Sequence, residues 1–124
     1  MWFDSHCHLF DCEGPLESVL ERAHDAGVGG MLVAGVDLAS SRRALELARG
    51  DGVHAAVGVH PNSSAAWTDA CIAAVAELLA DRRAVAVGES GLDFYRDHSP
   101  PDRQSAAFAA HVELAKQHDK ALII

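Results

Sequence analysis

Met31-Leu32-Val33-Ala34-Gly35-Val36 is a continuous apolar run, the pattern of a strand buried on both faces, as in a parallel sheet. Working outward from it, residues 37–41 read as a turn and helix cap, and Ala44, Leu45, Leu47 and Ala48 continue as a helix that ends by Gly50-Asp51-Gly52. On the other side, Pro15 opens a helical pattern through Leu16, Val19, Leu20 and Ala23, which Gly27 stops. Residues 2–6 form a strand before it, with a turn at 11–14. Further on, a strand over 53–59 closes with His60-Pro61-Asn62, and a helix over about 68–79 carries Ile72, Val75, Ala76 and Leu79 on one face. A fourth strand, 84–87, closes with Gly88-Glu89. A polar loop over 90–101, a helix over about 102–118 with Phe108, Val112 and Ala115, and an apolar start of a fifth strand at 121–124 complete the chain.

Strand and helix alternate at roughly thirty residues per unit, which implies a mainly parallel α/β sheet in one domain. Two architectures fit. A five-stranded doubly wound sheet needs about this much chain. A (β/α)8 barrel needs about 250 residues, roughly twice what is here. A doubly wound domain closes with a helix over its last strand, whereas here an apolar strand is last. The expectation is therefore the N-terminal half of a TIM barrel: four βα units plus the start of strand five, with residues 1–124 as one partial domain.

The chain is 49% hydrophobic and 23% charged over 124 residues, ordinary for one globular domain able to bury a core. Its 10 basic and 18 acidic residues give a net charge of −8, which argues against a basic nucleic-acid cradle. A nuclease stays open, because bound metal ions can supply positive charge locally. Cys7, Cys12 and Cys71 form no zinc-finger spacing and are read as reduced thiols. No run reaches membrane-span length, and the opening Met1-Trp2-Phe3-Asp4 lacks the basic stretch of a secretory leader, so the protein is expected to be cytoplasmic with no membrane partner.

Polar residues of ligand or acid–base type gather immediately after strands. In Asp4-Ser5-His6-Cys7-His8-Leu9, His6 and His8 share one face of a strand end and Cys7 faces away. His60 follows strand three, Glu89 follows strand four, and Asp93 lies in the next loop. C-terminal strand ends form the ligand-binding rim of parallel α/β folds. Imidazoles suit transition metals and a carboxylate suits harder ions too; the two oxygens of Glu89 could bridge two metals. Each has an ordinary alternative: Glu89 as a cap or solvated loop acid, His60 as a loop-stabilising residue. Arg96 either contacts a phosphate or is simply solvated. His24, His54, His98, His111 and His118 read as structural or surface residues, and Trp67 as a packing residue.

Asp4-Ser5-His6-Cys7-His8-Leu9, Gly58-Val59-His60-Pro61 and Val87-Gly88-Glu89-Ser90-Gly91-Leu92-Asp93-Phe94-Tyr95, in this order, resemble the TatD family of metal-dependent hydrolases, and Gln104, Phe108, Leu114 and Ala115 are in keeping with it. The resemblance covers the whole chain. It implies a TIM barrel of amidohydrolase type and a divalent-metal-dependent hydrolase, several members being deoxyribonucleases. It also implies that His6 and His8 bind one metal, that Glu89 bridges two and serves catalysis, and that His60 is a catalytic-site residue near the scissile phosphate. Arg96 and Asp93 would be substrate-side or supporting groups. The metals would be zinc, manganese or magnesium, two per complete site, and the substrate DNA or another phosphodiester.

The chain departs from the family pattern in three respects. Asn62 stands where many members have histidine, Ser90 where an apolar residue or cysteine is common, and the ligands from strands five, six and eight are missing. The expected function is deoxyribonuclease-type hydrolysis in the full-length form, with this fragment inactive alone and prone to self-associate through exposed sheet edges. Two alternatives are a metal phosphoesterase of the polymerase-histidinol-phosphatase type and a small non-catalytic α/β binding domain.

Overall fold

A computed structural model describes residues 1–50 and 52–124. Five strands, β1 (Trp2–Cys7), β2 (Val28–Ala34), β3 (Val53–Val57), β4 (Ala84–Val87) and β5 (Ala121–Leu122), alternate with four helices, α1 (Leu16–Asp25), α2 (Leu38–Leu47), α3 (Asp69–Leu79) and α4 (Pro101–His118). Every strand pairs parallel with its sequence neighbour, in the order β1-β2-β3-β4-β5. A doubly wound sheet reverses its strand order at a switch point. This sheet never does, and the arrangement is the wall of a (β/α)8 barrel.

The two faces of the sheet differ as strand periodicity requires. Met31, Val33, Val53, Ala55, Val57, Ala84 and Val87 pack outward under the helices, against Ala44, Leu45, Val75, Leu79, Ala107 and Leu114. Leu32, Ala56 and Ala86 face the other way with Ile123. Small residues allow backbones to crowd together at the C-terminal rim. A Cβ on Gly58 would lie 2.8 Å from the Gly88 backbone, and one on Gly88 would lie 2.7 Å from the Ile123 carbonyl oxygen.

Several element limits differ from the sequence expectation, each for a local reason. β2 starts at Val28 rather than at the apolar run, because Val28 and Gly30 pair with Trp2 and Phe3 of β1. Residues 38–41 are helical, not a turn: Asp37 caps α2 by accepting the Ser40 N–H at 2.7 Å, while the Ser40 hydroxyl accepts the Asp37 N–H at 3.0 Å. The Ser40 hydroxyl, then its backbone N–H, hold the Asp37 carboxyl below the usual carboxylate range. The expected helix end at Asp51 lies outside the described residues. β3 stops at Val57, and a 3-10 segment that periodicity did not suggest, Pro61–Ala66, follows with proline in its first turn. Among the described residues no helix is long and apolar enough to cross a membrane.

Candidate active site

β1 delivers His6 and His8 to the rim and β4 delivers Glu89, whose N–H reaches across to the Gly35 carbonyl at 2.8 Å. Glu89 Oε2 lies 3.1 Å from His6 Nε2 and 3.7 Å from His8 Nε2; its Oε1 lies 3.4 Å from His60 Nε2. One ligand atom from each of His6, His8 and Glu89 falls within 4.8 Å of the others, close enough to converge on one ion. The Glu89 side chain keeps 19% of its surface exposed, so the cluster opens to solvent on one side.

Hydrogen bonds assign the imidazole protons. A carbonyl oxygen only accepts, so the 2.9 Å contact between His8 Nδ1 and Ala34 O places a proton on Nδ1, and in the neutral ring the Nε2 lone pair then faces Glu89. A backbone carbonyl behind a histidine is the usual support for a metal ligand. His60 is the opposite case. Its Nδ1 accepts the Asn62 N–H at 3.1 Å, so in the neutral ring Nε2 carries the proton and points it at Glu89. His60 stands as a hydrogen-bond donor beside the cluster rather than as a third imidazole ligand. Cys7 lies on the opposite side of β1 and gives its S–H to the Leu32 carbonyl at 3.4 Å. Burial, followed by the negative charge of Asp4, pushes its thiol up to about 11, so it supplies no thiolate at neutral pH.

Arg96 and Asp93 take a different place. Arg96 pairs with Asp93 at 3.3 Å, and its side chain is 64% exposed. Asp93 accepts the backbone N–H groups of Arg96 and Tyr95 and, at 2.7 Å, the Asn62 side-chain amide. These bonds, the Arg96 N–H foremost, hold its carboxyl below the usual carboxylate range. Asp93 therefore pins the β4–α4 loop to the segment after His60 through Asn62, with Arg96 folded back onto it.

Sequence reasoning did not single out Ser41 and gave Gln104 and His111 no role in bracing this rim. Ser41 of α2 is fully buried, its hydroxyl bonded to both backbone groups of Gly58 at 3.0 and 3.1 Å. Gln104 of α4, also fully buried, accepts the Asp93 N–H at 2.8 Å and donates to the Asp93 and Ser99 carbonyls. His111, read as structural or surface, is 0% exposed and accepts the Val59 N–H on Nε2 at 2.9 Å. The available signal was positional: Gln104 and His111 interrupt the buried stripe that Ala107, Leu114 and Ala115 define on α4.

Burial holds the His111 imidazole below the ordinary histidine value of 6.5, against the opposing bond to the Ala107 carbonyl. Its folded-state pKa is lowered, so the unfolded chain takes up this proton first as pH falls. The stability it contributes is intact above about 6.5 and is lost on acidification, at up to about 1.4 kcal/mol per pH unit. Urea unfolding at pH 7.5 and 5.5 is expected to show this loss, and His111→Gln is expected to flatten it. An equal pH dependence in the variant would show that other groups cause it.

A sequence model of the TatD-related DNase family matches residues 3–124. The chain belongs to the TatD family. It is 42% identical over 102 residues to the "3'-5' ssDNA/RNA exonuclease TatD" of Shigella flexneri, covering 82% of this chain and 39% of that protein. It is 38% identical over 129 residues to the "uncharacterized metal-dependent hydrolase YabD" of Bacillus subtilis, covering 100% of this chain and 50% of that one. The crystal structure of YjjV, a TatD homologue of Escherichia coli K12, superposes with a TM-score of 0.85 at 34% identity, covering 98% of this chain and 49% of that one. The chain thus spans half or less of the length of these TatD relatives, and its sheet is one half of the TatD barrel.

Proposed function

We propose that this chain supplies the N-terminal half of a TatD-type metal centre that hydrolyses phosphodiester bonds of single-stranded nucleic acid. The convergence of His6, His8 and Glu89 within 4.8 Å is the observation that carries the reading. Two imidazole nitrogens and a carboxylate are a donor set that fits zinc or manganese, and the carboxylate admits magnesium. A divalent ion held there would polarise a phosphoryl oxygen and acidify bound water.

The protein's own contributions follow from the geometry. Ala34 O fixes the His8 ring so that its Nε2 would be free to hold an ion. Glu89 directs Oε2 to His6 and His8, where it would join them in holding an ion, and Oε1 toward the His60 Nε2 proton. His60 holds a proton on Nε2 at the edge of the cluster, where it can donate to a phosphate oxygen. Three ligands make half the donor set of a two-metal site. On this reading the chain alone binds one ion and does not turn over, and hydrolysis needs further ligands of a complete barrel.

Fluorescence anisotropy with a labelled single-stranded oligonucleotide tests the reading. Retention is expected to appear with zinc, manganese or magnesium, to vanish with EDTA, and to exceed that of duplex DNA. Retention that ignores the metal would sink the metal-centred reading. Displacement by a phosphomonoester in preference to the oligonucleotide would favour a phosphatase. The same mixtures on a sequencing gel are expected to show no shortening by the chain alone.

A further inference from the structure

The three residues that leave β3 toward the candidate site are each held by a different segment of the chain. Gly58 is held by the Ser41 hydroxyl of α2, Val59 by His111 of α4, and the His60 N–H by the Val36 carbonyl at 2.8 Å. His111 stands out among these braces. Its side chain is wholly buried, with one face stacked on Trp67 at 5.1 Å between ring centroids and an interplanar angle of 29°. Its Nε2 accepts the Val59 N–H, so the ring proton lies on Nδ1, which donates to the Ala107 carbonyl at 2.6 Å.

An apolar residue would fill this space without burying two ring nitrogens, and the buried imidazole is tolerable because both are bonded. What the imidazole adds is an acceptor for one particular amide. β3 has ended at Val57, so no strand neighbour takes the Val59 N–H, and Val59 is itself buried. Losing the acceptor would leave that amide unpaired in a dry interior, where the backbone would move to find a partner. The next residue is His60, whose Nε2 is 3.4 Å from Glu89.

We propose that His111 is a positioning residue for His60: by taking the Val59 N–H from α4 it sets where the His60 imidazole stands against Glu89. The proposal rests on the functional reading only for the purpose of that placement. The placement itself is a structural claim with its own readout.

His111→Leu removes the acceptor at similar volume, and His111→Gln restores one. In ¹⁵N NMR of the metal-free chain, the leucine variant is expected to lose exchange protection at the Val59 amide and to shift the His60 ring signals, with those of His6 and His8 unmoved. The glutamine variant is expected to return both to wild type. A leucine variant that folds, exposes the Val59 amide to exchange and leaves the His60 signals in place would overturn the proposal. If the leucine variant does not fold, His111→Asn, an acceptor of shorter reach, decides: displaced His60 signals support the proposal and unmoved signals overturn it. Displaced His60 signals in a protein whose wild type shows no metal-dependent retention of single-stranded DNA would remove the functional reading and leave the positioning role standing.

Discussion

Glu89→Gln is expected to lower the affinity of the rim for zinc or manganese by at least about 100-fold, since even outer partners of metal ligands carry 10–100-fold effects. Glutamine keeps the size of the side chain and one carbonyl oxygen, but it removes the negative charge that faces His6 and His8. Two imidazoles alone fill half the positions of a four-coordinate zinc and leave the rest to water. Isothermal titration, or competition with a chromophoric chelator, measures the change directly. Equal affinity in the variant and the wild type would remove Glu89 from the ligand set. His60→Gln serves as the comparison: with Nε2 protonated and Nδ1 engaged by Asn62, His60 is outside the ligand set, and its loss is expected to change the affinity much less.

The second large effect is on stability. Gly88→Ala is expected to cost about 4 kcal/mol, combining a strained backbone conformation with overpacking. Gly88 has φ +145, and an added Cβ would meet the Ile123 carbonyl oxygen at 2.7 Å and the Ile123 Cβ at 2.8 Å. Neither contact is the free end of a flexible chain, so β4 and the segment after β5 must part. A loss of that size is a large share of a small domain's total stability. Gly14→Ala is the internal control. Its φ is +95, yet an added Cβ meets nothing within 4 Å, so only the conformational part, about 1–2 kcal/mol, is expected. Urea unfolding of both variants separates the two parts; equal losses would show that crowding at the rim is negligible.

Much of this was legible in the chain because it is written locally. The alternation of apolar runs and helical stripes gives the strand–helix repeat, and residues directly after a strand must sit on the rim, so His6, His8, His60 and Glu89 could be named together. The extension of α2 back to Leu38 and the early start of β2 were not, since the first depends on a reciprocal bond between Asp37 and Ser40 and the second on pairing with β1. Spacing also cannot separate a ligand from a donor. His8 and His60 look alike as residues after strands; what divides them is a carbonyl at Ala34 in one case and an amide at Asn62 in the other. Arg96 was read as a phosphate contact or as simply solvated, and the structure shows an exposed side chain paired with Asp93. His111 was set aside because its partner, Val59, is 52 residues away along the chain.

The unbroken strand order has a consequence for synthesis. Each strand lies beside the one made just before it, so every new βα unit has its docking surface waiting as it leaves the ribosome. Loop closures stay short, and each of β2 to β5 finds a partner strand already made. On this schedule His6 and His8 are seated as soon as β2 docks, and the cluster is completed only when β4 brings Glu89. A nascent chain arrested before β4 would hold the two imidazoles without the carboxylate.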